Sequence, residues 1–196
     1  FEKYAKLKRT FEALTEQTKE TKEEIDHLNS ISNALDIARE EEDLAAIRKE
    51  LSDTGYVRHH FQKGKQNARK APKSKPLHYI SSDGFHMYVG KNNYQNDELT
   101  FKFATGNDWW FHAKAAAGSH VIVKTEGNEL PVRTFEEAAR LAAHYSKARE
   151  QEKAEIDYVQ KKHIKKPNGA KPGFVVYYTN YSMTISTDIT GIEEAE

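Results

Sequence analysis

In the first 53 residues, apolar side chains recur at spacings of three and four positions, which is the period of one helix face. Glycine and proline are absent from this stretch, where Glu, Lys, Ala and Leu dominate. We therefore expect a helix from Phe1 to about Arg39 and a shorter helix at residues 42–51, ended by Gly55. The apolar stripe of the first helix comprises Leu7, Phe11, Leu14, Ile25, Leu28, Ile31 and Leu35.

Such a first helix would extend ~58 Å at ~1.5 Å per residue, which is longer than a core of this size requires. The stripe is typical of one half of a coiled coil whose other half lies elsewhere. Because nothing in the sequence of the arm covers the stripe, we expect self-association through this helix. A helix lying on a membrane surface would have a basic polar face, whereas this polar face is acidic.

After residue 77 the pattern changes to strands separated by turns. His78–Ile80 and Phe85–Val89 flank an Asp83-Gly84 turn, which is a strong hairpin signal. We predict a short helix at residues 97–104 with Asn96 or Asp97 as its N-cap, because amide and carboxylate side chains accept from free backbone N–H groups. Further strands are predicted at residues 109–114, 120–124, 156–164, 174–178 and 183–186.

Thr134 and Glu137 have the spacing of a capping box, which predicts a helix from Phe135 to about Arg149. Its face of small residues suits packing against a sheet. The fold class is therefore α+β: a mostly antiparallel sheet with one main packed helix, preceded by a long coiled-coil-type helix. We expect four parts: a coiled-coil arm at 1–55, a basic linker at 56–76, a globular domain at 77–190 and a tail at 191–196.

The formal net charge of zero conceals a strong segregation of charge. Residues 1–55 contain 14 acidic and nine basic side chains, a net charge of −5, whereas residues 56–76 contain seven basic side chains and no acidic one. A second run without acids extends from Val159 to Gly173. Basic runs of this kind favour a nucleic-acid partner, although the first of them also has the composition of a solvated tether.

The absence of cysteine excludes disulfides and thiolate metal sites, and no apolar run approaches the ~18 residues of a membrane span. We expect a cytoplasmic protein without cofactors. Because the chain opens on Phe1, we also expect it to be a fragment of a longer protein.

Between the two basic runs lies a segment in which glycine, amide, indole and imidazole groups alternate. Its first part surrounds the start of the predicted short helix, where free N–H groups favour a phosphate. We therefore predict RNA contacts here, the alternative being an Asn-rich turn that satisfies its own backbone. The residues concerned are Lys91, Asn92, Asn93 and Asn96.

In the following predicted strand, alternation places Asp108, Trp110 and His112 on one face. That face could offer an indole for base stacking and an imidazole for a phosphate or ribose hydroxyl, or Asp108 could simply hold His112. Metal binding and hydrolysis are disfavoured because no His-x-Glu or His-Glu-x-x-His spacing occurs. The remaining RNA-contact candidates in this part of the chain are Lys114, Ser119 and His120.

The second basic run supplies four further candidates. If this segment continues the predicted strand, alternation would separate its lysines onto two faces, so only part of them could meet one ligand. The alternative role is protection of a sheet edge against strand pairing. The candidates are Lys161, Lys165, Lys166 and Lys171.

Several blocks of residues resemble the C-terminal half of bacterial, RqcH-type members of the NFACT family, for which fibronectin-binding protein A-like is an older name. The resemblance is dense from about Tyr79 to Asp188 and corresponds to the NFACT-R domain. The preceding arm is similar to the returning half of the family's long helical hairpin. The matching blocks are residues 81–85, 90–93, 95–97, 108 with 110–112, 118–120, 142–149, 165–167 and 169–173.

The resemblance implies an RNA-binding part of a ribosome-associated quality-control factor. Relatives bind large ribosomal subunits obstructed by peptidyl-tRNA and recruit tRNA, alanyl-tRNA in bacteria, for C-terminal alanine tailing of stalled chains. The protein itself would not be an enzyme, because the ribosome performs peptide transfer. The determinants of tRNA selection are expected outside this chain. The alternative implied by the older name is a fibronectin-binding adhesin module at the cell surface.

Overall fold

A computed structural model describes residues 1–58 and 74–195 of the chain. Both predicted N-terminal helices are confirmed, as α1 (Glu2–Ile37) and α2 (Glu41–Asp53). Gly55 follows α2 with φ of +84°, the left-handed conformation that glycine adopts without strain. The predicted basic linker at 56–76 lies mostly outside the described residues. Among the residues described, no helix is both long and apolar enough to cross a membrane.

The body contains a seven-stranded sheet in the order β6-β5-β3-β4-β2-β1-β7, and every neighbouring pair is antiparallel. The predicted hairpin is confirmed: Gly84 has φ of +83° and its N–H donates to the Ser81 carbonyl at 2.8 Å. The strands are β1 (Leu77–Ile80), β2 (His86–Val89), β3 (Trp109–Ala113), β4 (Val121–Val123), β5 (Lys153–Gln160), β6 (Tyr181–Ser186) and β7 (Glu193–Glu194).

The sheet is covered on both faces. Helix α4 (Val132–His144) lies on one face, where its alanines and Leu141 pack against Met87, Phe111 and Ile156. The opposite face is covered by α3 (Asn93–Glu98), the π-helical turn Leu99–Phe103, and apolar side chains from residues 164–177. The predicted α+β fold with one main packed helix is thereby confirmed.

The predicted capping box at Thr134 is wrong. Helix α4 begins earlier, after Pro131, and the Thr134 hydroxyl donates to Asp83 Oδ2 at 2.8 Å instead of capping the helix. The helix also ends at His144, before the predicted Arg149.

Two of the predicted strands also differ from the structure. The predicted strand at 156–164 gives way to a 3₁₀ turn at Lys161–His163. Residues 174–178 form no strand, and their segment pairs with the body through a single bridge between Lys165 and Val176. Strand β7 lies in the segment that we expected to be a tail, and it pairs with β1.

The arm is joined to the body at its base. Ile37 belongs to the core beneath α4, and the Asn33 amide donates to the Tyr145 carbonyl at 3.1 Å. Asp36 accepts from Lys147 at 2.6 Å and from Arg149 at 3.1 Å. The distal part of α1, by contrast, is exposed along almost its whole length up to residue 26.

Candidate nucleic-acid interface

The Asn-rich loop after β2 forms its own helix cap. The side chain of Asn92 accepts from the Gln95 N–H at 3.0 Å, so Asn92 is the N-cap of α3, and the prediction of Asn96 or Asp97 in that role is wrong. The Gln95 side chain in turn accepts from the Lys91 N–H at 2.9 Å. Two of the N–H donors near this helix start, those of Lys91 and Gln95, are therefore used within the loop.

Lys91 is buried and points to the arm. Its ammonium group lies 2.6 Å from Asp43 Oδ1 in α2, and both side chains are almost completely excluded from solvent. Burial by itself would raise the pKa of Asp43, but Lys91, Ser74 and two backbone N–H groups outweigh that effect and lower it to about 2. This buried ion pair ties α2 to the loop of the sheet domain.

Asn93 makes a second buried link between the arm and α3. Its amide donates to Ser30 Oγ in α1 and to Glu50 Oε1 in α2, each at 2.7 Å. The same Glu50 oxygen lies 3.1 Å from His27 Nε2. Gly173 passes so close that a Cβ there would lie 2.6 Å from Asn93 Oδ1, and its φ of +80° also favours glycine. We refer to the contacts of Lys91 and Asn93 with α1 and α2 as the arm joint.

Asn96 and His120 belong to a buried network inside the body. The Asn96 side chain accepts from the His120 backbone N–H at 3.0 Å, and the His120 ring lies 2.8 Å from Thr100 Oγ1. Asn96 also occupies the space beside Gly90 where a Cβ would overlap it. Ser119 is buried as well, and its N–H donates to the Tyr145 carbonyl at 2.9 Å.

Trp110 and His112 share one face of β3, as alternation predicts, but that face is covered. The Trp110 indole is completely buried, lies nearly parallel to the His112 ring at 5.5 Å and meets His120 edge-on at 5.1 Å. Burial lowers the pKa of His112 to about 4. Burial and the neighbouring His112 lower the pKa of His120 well below its ordinary value, so both rings are neutral at physiological pH.

Asp108 organises the turn before β3. One of its oxygens accepts from the Thr105 N–H at 2.7 Å and from Lys124, and the other accepts from the Thr125 N–H at 3.0 Å. Burial opposes ionisation of Asp108, but these bonds lower its pKa. The alternative in which Asp108 holds His112 is therefore wrong, because its partners lie in the loops beside β3 and β4.

The burial of these side chains corrects the predicted RNA contacts in this part of the chain. Each of them except His112 is buried among protein groups, so it offers little surface to a polynucleotide. His112 keeps partial exposure but lies against Trp110. The residues that take structural positions instead of the predicted RNA contacts are Lys91, Asn92, Asn93, Asn96, Asp108, Trp110, Ser119 and His120. The RNA contact predicted for His112 stays a prediction.

The predicted lysines, in contrast, reach the surface. Lys165 and Lys171 are exposed and Lys161 is partly exposed. Lys114 is exposed but pairs with Glu155 at 2.6 Å, and Lys166 pairs with Asp97 in α3. Because Lys161–His163 is a 3₁₀ turn, the strand alternation that would have separated these lysines onto two faces does not apply.

The second basic run reaches the beginning of the first at the base of the arm. The second run begins beside loop 106–108, where the Lys161 N–H donates to the Asp108 carbonyl at 2.9 Å, and passes α3 at Lys166. It then reaches the first run, because the Lys171 ammonium lies 5.9 Å from the centre of the Tyr56 ring. Ser74, at the other end of the first run, accepts from Gln95 of α3 at 2.6 Å. We call the surface carrying Lys161, Lys162, Lys165 and Lys171 the lysine band.

A cluster of aromatic rings on β1 and β2 was not predicted from the sequence. His78 stacks on Tyr88 with ring centres 4.5 Å apart and 2° between their planes, and its Nε2 lies 2.8 Å from His86 Nδ1. Tyr88 meets Phe103 edge-on at 4.7 Å. The alternation of His86 and Tyr88 with Met87 and Val89 was the available signal, since it places these polar aromatic rings together on the face away from α4.

Among the described residues, no group of three or more His, Asp or Glu side chains is arranged to hold a metal ion. His112 and His120 approach each other edge-on at 5.4 Å, while Asp108 turns toward Lys124 and Thr125. These three side chains therefore form no common centre.

Comparison with known proteins agrees with this architecture. Residues 75–179 match the family model described as NFACT protein RNA binding domain, and residues 1–70 match that of the NFACT N-terminal and middle domains. The chain is 38% identical over 189 residues to the Rqc2 homolog RqcH of Bacillus subtilis, covering 96% of this chain and 32% of that protein. It is 41% identical over 193 residues to the Rqc2 homolog RqcH of Streptococcus pneumoniae, covering 96% and 33%.

A solved structure is also similar: the C-terminal part of the fibronectin/fibrinogen-binding protein from Streptococcus suis. It superimposes with a TM-score of 0.83 at 40% identity, covering 96% of this chain and 73% of the other. The chain spans about a third of the length of the curated relatives it matches. On the two family-model matches and these identities, the chain belongs to the NFACT family, with residues 75–179 corresponding to that family's RNA-binding domain.

Proposed function

We propose that this chain is the RNA-binding portion of a ribosome-associated quality-control factor, in which the lysine band lies along an RNA phosphate backbone. The observation that carries the proposal is the contact between Lys171, in the second acid-free basic run, and Tyr56, where the first such run begins, although the two residues are far apart in sequence. Lysines at such a surface release counterions from RNA when they neutralise phosphates, which supplies affinity without sequence readout. The match to an RNA-binding family model supports the same ligand.

In the longer protein, the proposed role is binding of large ribosomal subunits obstructed by peptidyl-tRNA and recruitment of alanyl-tRNA for C-terminal alanine tailing. The relatives named Rqc2 homolog RqcH support this role. The proposal includes a cytoplasmic location and no chemistry by the protein itself, since the ribosome would transfer the peptide.

A salt titration of tRNA binding by the purified chain tests the proposal. We expect the logarithm of the association constant to fall linearly with the logarithm of salt concentration, by ~0.7–0.9 per phosphate contacted. The triple variant K161A, K162A and K165A should bind more weakly and with a shallower slope. The matched control is K3A, K6A and K19A on exposed positions of α1, which changes net charge equally.

The control variant should retain the affinity and slope of the unmodified chain. Equal losses in the two triple variants would show that total charge alone matters and would remove the lysine band from the proposal.

The alternative function is binding of fibronectin, which the name of the similar Streptococcus suis protein favours. It is measured in the same buffers with immobilised fibronectin. Tight binding to fibronectin together with salt-independent or absent RNA binding would replace the proposed function with this one.

A further inference from the structure

A cleft of about 490 Å³ opens on the α4 side of the sheet, where β3 begins and β5 ends. This volume falls within the ~300–1,000 Å³ of small-ligand sites. The cleft is separate from the arm joint and from the cluster of aromatic rings on β1 and β2. Its lining includes the rings of Trp109 and Phe135 and the side chains of Asn107, Asn128 and Gln160.

The aromatic part of the cleft is held in place by neighbouring rings. Trp109 meets Phe135 edge-on at 4.8 Å and lies 5.9 Å from Tyr158 and 6.3 Å from Tyr181. Trp109 nevertheless remains partly exposed, whereas Trp110 next to it is completely buried. A partly exposed indole fixed by edge-on and tilted ring contacts is a suitable surface on which a planar ring could stack.

The polar part of the cleft consists mainly of amides. Within residues 1–58 and 74–195, the side-chain amides of Asn107, Asn128 and Gln160 make no hydrogen bond to the protein. An amide offers donors and an acceptor at once, which matches the hydrogen-bonding edge of a nucleobase. The one charged group in the lining is the Glu129 carboxylate, which would repel a phosphate but can accept from a base amino group.

Cations lie beside the cleft and outside it. Gln160 is followed directly by Lys161 and Lys162, whose N–H groups donate to the carbonyls of Asp108 and Gly106 on either side of Asn107. The beginning of the lysine band is therefore fixed against the loop that supplies one wall of the cleft. An aromatic cleft lined by amides and one carboxylate, with cations at its rim, suits a nucleotide whose base enters while its phosphate stays at the rim.

We propose that this cleft binds one unpaired nucleobase of the RNA strand whose phosphates lie on the lysine band. The inference rests on the proposed RNA-binding function and adds where a base is inserted. Base-paired RNA would contact only the lysines and not the cleft, because the edges of its bases are occupied by their pairing partners.

The test compares two oligonucleotides of equal length and charge: a single-stranded RNA 12-mer and an abasic ribose-phosphate 12-mer. We expect the base-bearing strand to bind about tenfold more tightly. The double variant N128A and Q160A should lose most of that difference and keep the salt slope. The matched variant K161A and K162A should weaken both strands equally and keep the difference.

Tryptophan fluorescence provides an independent readout. Stacking should quench the emission of Trp109 when the base-bearing strand is added, while the enclosed Trp110 contributes a constant background. The abasic strand should leave the emission unchanged. The single variant N107A gives a second test of the amide wall at an exposed position.

Equal affinity for the two strands without quenching would overturn the cleft assignment and leave the proposed function intact. The same holds if the base preference exists but survives in both amide variants. If neither strand binds at all, the proposed function itself fails, and the cleft assignment fails with it.

Discussion

Asn93 lies where helices α1, α2 and α3 meet. It begins α3, and its amide reaches Ser30 in α1 and Glu50 in α2. Asn93 and Glu50 are buried and Ser30 is partly buried, so the Asn93 amide and the Glu50 carboxylate depend on this cluster for their hydrogen bonds. Asn93 is therefore a determinant of the angle between arm and body.

Replacement of Asn93 by aspartate should weaken the folded state strongly. N93D removes the amide donor and places a carboxylate next to Glu50, so we expect the free energy of unfolding to fall by about 3 kcal/mol. The measurement is urea unfolding followed by circular dichroism. The control N180D changes an exposed asparagine whose amide makes two long contacts of 3.3 and 3.4 Å, and it should change the free energy little. Similar losses in the two variants would contradict the role of Asn93.

The imidazoles of His112 and His120 predict a dependence of stability on pH. In the folded protein, burial keeps the pKa of His112 near 4, whereas an unfolded histidine has a pKa near 6.5. Between these values the unfolded chain binds more protons, so stability is complete above about pH 6.5 and is lost progressively toward pH 4. His120 contributes in the same direction.

We expect the free energy of unfolding to fall by about 2 kcal/mol from His112 alone between pH 7 and pH 5. Urea unfolding at a series of pH values measures this fall. The variant H112Q should show a flatter profile over the same interval, whereas the exposed control H163Q should not. A pH profile unchanged by H112Q would show that the His112 ring is not the source of the pH dependence.

The chemistry of residues 90–97 could be recognised from sequence, but its purpose could not. A glycine, a lysine and several amides form the same pattern whether they bind a phosphate or another part of the protein. The deciding partners, Asp43 and Glu50, are some 40 residues away, and no local rule connects them. The exposure of the lysine run could be anticipated, because a cluster of charge has to remain near solvent, and its contact with RNA stays a prediction.

At the scale of elements, periodicity located both N-terminal helices and most of the sheet. It failed where tertiary contacts decide the local structure. The Thr134 hydroxyl is taken by Asp83, so no capping box forms, and residues 174–178 lie across the face of the sheet as a cover instead of joining it. Strand β7 has only two residues, both glutamates, and is fixed by pairing with β1 and by Arg39, which reaches Glu194 at 2.6 Å.

The exposed apolar stripe of α1 leads to a prediction about association. Leu7, Phe11 and Leu14 are between 56% and 72% exposed, which is costly for side chains of this size. We expect sedimentation velocity to show an association that grows with protein concentration. The double variant L7S and F11S should reduce it, whereas K8S and E12S on the neighbouring polar positions should not. A monomer at all concentrations with α1 still helical would contradict this prediction.

At the scale of the whole molecule, arm and body form one unit from residue 27 onward. The arm contributes Ile37 to the core and supplies the counter-charge for Lys91. The division at residue 55 that charge and composition suggest is therefore crossed by buried contacts. Composition cannot show this, because an ion pair adds the same two charges to the sequence whether it is buried or exposed.

Two truncations test whether the arm and the body form one folding unit. Removal of residues 1–24 takes away only exposed helix, so the sheet should unfold within about 0.5 kcal/mol of the intact chain. Removal of residues 1–58 takes Ile37 out of the core and removes the partners of Lys91 and Asn93, and we expect a loss of at least about 3 kcal/mol. Near-ultraviolet circular dichroism of the two tryptophans monitors the sheet in each case. Equal stability of the two truncated chains would contradict a shared core.

The arm joint also determines how far α1 projects from the body. Lys91 and Asn93 fix α1 and α2 against the body. The exposed portion of α1, up to residue 26, therefore projects as a stiff spacer of about 37 Å, at ~1.5 Å per residue. A ligand held by the sheet and a second one held at the helix tip would keep a set separation. Little conformational freedom would remain to be lost when both engage, so two weak attachments could act together as a strong one.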